Sequence, residues 1–142
     1  IKHWLSEGTA LGARRNGDFI SHDDDLDLGI WYSDYNKFKD IILPLLKKKG
    51  FNLDFTMNND TFIGLSRKHE KVDIDFTGKN IKCVSCTTKR ANCKNCNELL
   101  KYLKNMSKIK FLGNEYLCPD TDYLEYLYGS DWKTPRKEKF IN

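Results

Sequence analysis

No stretch of this 142-residue sequence approaches the roughly 18 consecutive apolar residues of a membrane-crossing helix. A membrane span is therefore excluded within the chain, and no signal peptide is visible. Internal repeats and low-complexity linkers are also missing, which argues against a repeat array or a linker joining two units. Histidine is scarce: His3, His22 and His69 each read better as exposed turn residues than as ligands or bases. Acid is nearly absent from one segment. Between Lys79 and Lys110, Glu98 is the sole carboxylate against nine Lys or Arg, so the segment carries +8 and the remainder −4 within a formal net charge of +4. Such a basic surface favours an anionic donor or acceptor, and its plain alternative is a solvated lysine-rich face. With 39% hydrophobic and 13% aromatic residues, the chain can build a real core. One domain over residues 1–142 is expected, with a Cys-rich insertion at about 79–97. The chain opens on Ile1 and reads as an excerpt, so localisation stays open.

What is present in quantity is carboxylate, concentrated over Gly17–Trp31. Asp23, Asp24, Asp25 and Asp27 fall within five positions, and the last two alternate with Leu26, Leu28 and Ile30. On a strand, Asp25 and Asp27 then project from one face while the leucines enter the core. Like charges so placed repel unless cations neutralise them, and oxygen-only ligands suit Mg²⁺ or Mn²⁺. Val72-Asp73-Ile74-Asp75-Phe76 repeats the alternation. A third carboxylate from a neighbouring strand would complete a two-metal phosphoryl-transfer site. Gly8-Thr9, just ahead of a short helix expected over Ala10–Arg15, offers a phosphate-binding corner.

The remaining patterns predict a strand over Leu26–Trp31 and a helix over Tyr35–Lys48 with Pro44 awkwardly inside it. A meander follows: Phe51–Thr56, Thr61–Arg67 and Lys71–Phe76. Further on come a helix over Asn97–Met106, a small hairpin around Gly113-Asn114 and a closing helix from about Thr121 to Tyr128. Helices and strands mixed around a small sheet indicate an α/β or α+β fold.

Cys83-x2-Cys86-x6-Cys93-x2-Cys96 is a second strong signal. Two Cys-x-x-Cys knuckles with a short spacer can set four thiolates around a structural Zn²⁺, with disulfides in an oxidising lumen or free thiols as the alternatives. Neither pair opens a helix after a strand in the thioredoxin manner, so a redox enzyme is disfavoured. Cys118 stands apart as a small buried residue.

Gly-Thr, an Asp-x-Asp strand and a later strand Asp together resemble the nucleotidyltransferase fold of the DNA polymerase beta type. More closely, Gly8-Thr9-Ala10-Leu11-Gly12-Ala13-Arg14-Arg15, then Phe19-Ile20-Ser21-His22-Asp23-Asp24-Asp25-Leu26-Asp27, resembles the LicD family, which includes fukutin and fukutin-related protein. The ending Tyr128-Gly129-Ser130-Asp131-Trp132-Lys133-Thr134-Pro135 is similar to the family's closing Tyr-Gly-x-x-Trp-x-x-Pro. Ser21 stands where the family usually has Pro. Asp75 follows where an aromatic or apolar residue is commoner, which leaves Asp73 on the family's position for the third acid.

The resemblance implies a divalent-metal-dependent phosphotransferase. It would move a phospho-substituent such as phosphocholine or ribitol phosphate from a CDP-activated donor to a glycan hydroxyl, releasing CMP. Asp25, Asp27 and Asp73 would be catalytic and hold Mg²⁺ or Mn²⁺. Gly8, Thr9, Arg15, Asp24 and Trp132 would bind substrate, although packing describes Trp132 better. A fukutin-like protein with an N-terminal anchor would sit in the Golgi lumen, and other members in the cytoplasm. Two alternatives remain open. One is a nucleotidyltransferase attacking the α-phosphate of a nucleoside triphosphate with RNA or a small molecule as acceptor. The other is a non-catalytic zinc module that binds anions.

Overall fold

The computed structural model describes residues 1–20, 25–57, 59–78, 81 and 96–135. In chain order these form β1 (His3–Leu5), α1 (Glu7–Asn16), β2 (Asp25–Trp31) and a helical run over 32–48. Next come β3 (Asn52–Met57), β4 (Phe62–Arg67), β5 (Glu70–Thr77), α2 (Cys96–Tyr102), β6 (Met106–Phe111), β7 (Asn114–Pro119) and α3 (Thr121–Tyr128). The strands make one mixed sheet of seven in the order β3-β4-β5-β2-β1-β7-β6, larger than the small sheet expected. β2 runs parallel to β5, and β1 parallel to β7; the other neighbours are antiparallel.

Two hydrophobic clusters hold the sheet. In the first, Trp4 and Leu5 of β1 pack with Leu11 of α1, and with Tyr123, Leu124 and Leu127 of α3. In the second, Ile30, Ile63, Leu65, Ile74 and Phe76 gather against Phe38 of the helical run. Period-two alternation explains the second cluster: Leu26, Leu28 and Ile30 share a face with Val72, Ile74 and Phe76, their partners in register. Above this apolar face lies an open hollow of about 360 Å³, lined by Leu26, Leu28, Phe38, Val72 and Ile74 among others. Among the described residues, no helix is long and apolar enough to cross a membrane.

Several boundaries differ from the expectations for identifiable reasons. Helix α1 begins at Glu7 rather than Ala10, which puts Gly8 and Thr9 inside its first turn instead of ahead of it. The run containing Pro44 is helical throughout 35–48, but its Phe38–Ile42 portion is π-helical and Pro44 enters the α-helical turn that follows. A proline removes one helical N–H and crowds the carbonyl four residues back, and a widened turn there relieves both. The β6–β7 hairpin turns at Leu112-Gly113, both at positive φ (51° and 84°), one residue earlier than expected. Helix α2 ends at Tyr102, because Met106 is already in β6. Cys118 is buried as expected, and burial pushes its thiol up to about 11. The knuckle cysteines Cys83, Cys86 and Cys93 lie outside the described residues, and Cys96 opens α2.

Close approach also governs the loop that leads to β2. A Cβ added at Gly12 would stand 2.3 Å from the carbonyl oxygen of Asp18 and 2.9 Å from the amide nitrogen of Ile20. Those neighbours are backbone and cannot swing aside. Gly12→Ala is expected to destabilise the fold by about 1–3 kcal/mol, read as a lower urea midpoint at unchanged slope.

Candidate active site

The acids sit where β2 and β5 run side by side. Asp27 is level with Asp73, Asp25 with Lys71, and Gly29 with Asp75. Neighbouring strands lie about 4.8 Å apart and level residues share a face, so Asp25, Asp27, Asp73 and Asp75 all stand on the face opposite the second cluster. Asp25, Asp27 and Asp73 are half-buried, and Asp75 is only 8% exposed. One carboxylate oxygen of Asp25 and one of Asp75 are sealed from solvent. The apolar hollow is on the other side of the sheet and takes no lining from these acids.

Helix α1 holds β2 in place from the side of β1. The Thr9 hydroxyl is fully buried, accepts a hydrogen bond from the Asp27 amide (2.8 Å) and donates to the Asp25 carbonyl (3.3 Å). One side chain thus clamps the backbone on both sides of Leu26. The Ser6 amide donates to the Asp27 carbonyl at 2.9 Å, extending the β1–β2 ladder to the acid. Thr9, expected on the substrate, is therefore engaged with the strand that presents the acids.

The first turn of α1 is itself braced. Glu7 has φ 41°, the left-handed region that costs a non-glycine residue energy. Its amide donates to the Tyr123 hydroxyl at 3.1 Å, and that hydroxyl lies 3.5 Å from Ser6 Oγ. The Thr9 and Ala10 amides both donate to the Ser6 carbonyl. Three of the first four helix amides are thereby occupied, which narrows the phosphate corner expected at Gly8-Thr9. Burial, followed by the Glu7 carboxylate, drives the Tyr123 hydroxyl far above its ordinary range. It stays protonated and serves as a fixed brace.

The arginines tie α1 to distant chain. Arg14 donates to the carbonyls of Pro119 and Cys118 and to Ser107 Oγ. Arg15 donates through Nε to the Trp132 carbonyl (2.7 Å) and through an Nη to that of Thr134 (3.2 Å). Arg15 stands seven residues beyond Gly8, about 10 Å along the helix axis. These two bonds hold the Tyr-Gly-x-x-Trp ending against α1. Trp132 is buried in the first cluster, where its indole packs. Asp24 lies outside the described residues.

Tyr123 was not legible as part of this site: it lies 116 residues from Glu7, in a helix whose apolar spacing is that of ordinary core. Among the described residues, no three His, Cys, Asp or Glu side chains already converge as a ligand set. The chemistry of the donors nevertheless fits a hard divalent cation, with carboxylates from two strands on one face and oxygens shielded from water.

Comparison with known proteins gives the family and the fold. The family model described as LicD/FKTN/FKRP, nucleotidyltransferase domain, matches residues 1–121. The chain is 30% identical over 154 aligned residues to the mouse ribitol-5-phosphate transferase FKTN, covering 96% of this chain, and 29% identical to the human protein over the same length. It spans about 30% of the length of these curated relatives. An uncharacterized protein of Rickettsia typhi is 45% identical over 53 residues, 37% of this chain. Among solved structures, the lincomycin-bound lincosamide antibiotic adenylyltransferase LnuA superposes with a TM-score of 0.51 at 11% identity, covering 85% of this chain and 71% of that one. That likeness shows a nucleotidyltransferase-like fold.

The Thr9 clamp has a direct test. Thr9→Val keeps the shape but strips a buried amide and carbonyl of their partner, for an expected cost of about 1–3 kcal/mol. Thr9→Ser is expected to recover most of it, and urea denaturation of both variants reads the difference.

Proposed function

This chain belongs to the LicD/FKTN/FKRP nucleotidyltransferase-domain family, and from that premise we propose that it is a phosphotransferase dependent on Mg²⁺ or Mn²⁺. It moves ribitol phosphate or a similar phospho-substituent from a CDP-activated donor to a glycan hydroxyl and releases CMP. The observation that carries this reading is the parallel register that sets Asp27 level with Asp73, with Asp25 on the same face.

Asp25, Asp27 and Asp73 would hold the cation, which when bound supplies positive charge against the donor phosphates and lowers the cost of forming the attacking oxygen. The chain's own residues account for the remainder. Asp73 accepts the proton of the acceptor hydroxyl. That oxygen bonds to the phosphorus distal to the nucleoside, and the bond from that phosphorus to the CMP oxygen breaks, leaving its electron pair on CMP. Thr9 and Ser6 keep the two β2 acids at fixed height. Gly8, buried in the first turn of α1, puts no side chain between that turn and the donor phosphates. Arg15 acts by holding the closing segment. The spacing of Cys83, Cys86, Cys93 and Cys96 supports a structural Zn²⁺ as a separate part of this reading.

The experiment is a product assay with Mg²⁺ or Mn²⁺, offering CDP-ribitol, CDP-choline, CDP-glycerol and CTP in parallel with mixed glycan acceptors. CMP from one CDP-donor is expected, and Asp27→Asn is expected to lower it by more than about a hundredfold without loss of thermal stability. Pyrophosphate from CTP alone would instead assign attack at the α-phosphate.

A further inference from the structure

Strand β3 is an edge strand with a break in its alternation. Asn52 and Leu53 pair with Ser66 and Leu65, but the register then shifts, and Phe55 pairs with Gly64 and Met57 with Phe62. Asp54 is the extra residue of a bulge. Without it, Leu53, Phe55 and Met57 would share one face, the one on which Leu65 is buried. With it, Phe55 and Met57 are turned onto the opposite face, level with Gly64 and Phe62. On β5, those two residues are level with Asp73 and Asp75. The bulge therefore aims two large apolar side chains at the acid face.

Gly64 makes room for the result. A Cβ there would meet Cε2, Cζ and Cδ2 of Phe55 at 2.1, 2.4 and 2.8 Å, so the ring covers the glycine one strand away from Asp73. Phe62 flanks it with a ring-centroid distance of 5.8 Å. Phe55 remains 41% exposed and Met57 40%. Covering Gly64 accounts for one side of the ring, and the rest of its exposure lies on the acid face two strands from Asp73.

We propose that Phe55, with Phe62 and Met57, forms a shelf on which a pyranose ring of the acceptor glycan stacks. This rests on the phosphotransferase reading for the identity of the reactants. The acceptor is favoured over the donor by the layout of the face. Helix α1 and Tyr123 brace the β1 side of the acids, and the proposed function puts the donor phosphates on that side, against the first turn of α1. With the donor so placed, in-line displacement would bring the entering oxygen from the opposite side, that of β4 and β3. A pyranose presents an apolar C–H face to an aromatic ring and polar hydroxyls to its rim, matching an apolar shelf bordered by carboxylates.

The test uses the full chain and saturation-transfer NMR, with methyl β-D-galactopyranoside, methyl N-acetyl-β-D-glucosaminide and CMP as probes. Saturation of the ring C–H protons of at least one pyranoside is expected in the wild type. Phe55→Ala is expected to weaken pyranoside binding about tenfold, and Phe55→Trp to retain it, with CMP binding unchanged in both. Equal pyranoside binding by wild type and Phe55→Ala overturns the shelf, as does no pyranoside binding by the wild type. Loss of CMP binding in Phe55→Ala overturns it in favour of a nucleobase platform. The CMP-release assay stands separately: pyranoside stacking without CMP release retains the shelf and removes the phosphotransferase reading. Asp27-dependent release with an indifferent Phe55 does the reverse.

Discussion

The whole arrangement answers to one electrostatic problem: two carboxylates, Asp27 and Asp73, brought level on adjacent parallel strands with a third, Asp25, on the same face. Full charges about 5 Å apart repel by roughly 3 kcal/mol at an effective dielectric of 20. No part of that repulsion is met by the ladder hydrogen bonds of β2 and β5, which would form between any two strands. The register must therefore be enforced from outside the acids. On one face the apolar partners Leu28, Ile30, Ile74 and Phe76 do this, because a one-residue slip would bury the carboxylates and expose the core. Beside β2, Thr9 and Ser6 do it through the backbone of Asp25 and Asp27.

The clamp in turn depends on residues far away in sequence. Thr9 can reach β2 only if α1 starts where it does, and its start is forced by Glu7 in the left-handed region, with its amide on the Tyr123 hydroxyl. Tyr123 is held by the first cluster, together with Trp4 and Leu124. The far end of α1 is tied by Arg15 to the Trp132 and Thr134 carbonyls, and by Arg14 to those of Cys118 and Pro119. The motif at the chain's end thus reads as an anchor for the helix that fixes the acids. This connects two stretches that the sequence presents as unrelated.

The alternation around Asp25 and Asp73 was legible because a half-buried strand writes its two faces as a period of two, and both strands carry Leu, Ile, Val or Phe on the inward positions. The mixed α/β class, the closing helix and the buried Cys118 followed from equally local patterns. What local patterns do not carry is pairing between distant segments. The Thr9 hydroxyl could be read as a phosphate ligand, since nothing nearby in sequence shows that it meets β2 sixteen residues on. Tyr123 is written as core. Pairing order is equally hidden: β2 lies between β1 and β5, and β7 lies beside β1, through contacts no local period encodes. The bulge at Asp54 is hidden for a related reason. Leu53, Phe55 and Met57 spell an unbroken alternation, and only the pairing with β4 shows that it is interrupted.

The same register weighs the two acids of β5 against each other. Asp73 is level with Asp27, at the middle of β5, and half-buried, so part of its carboxylate stays open to solvent. Asp75 is one pleat further in, level with Gly29, and 8% exposed with an oxygen sealed from solvent. Beside Gly29 the space a side chain would fill is taken by the Trp4 indole. A group that exchanges a proton with substrate needs an open side, whereas one that fixes its neighbours does not. On that ground the proposed mechanism gives the acceptor's proton to Asp73, and Asp75 stays in the buried part of the same face.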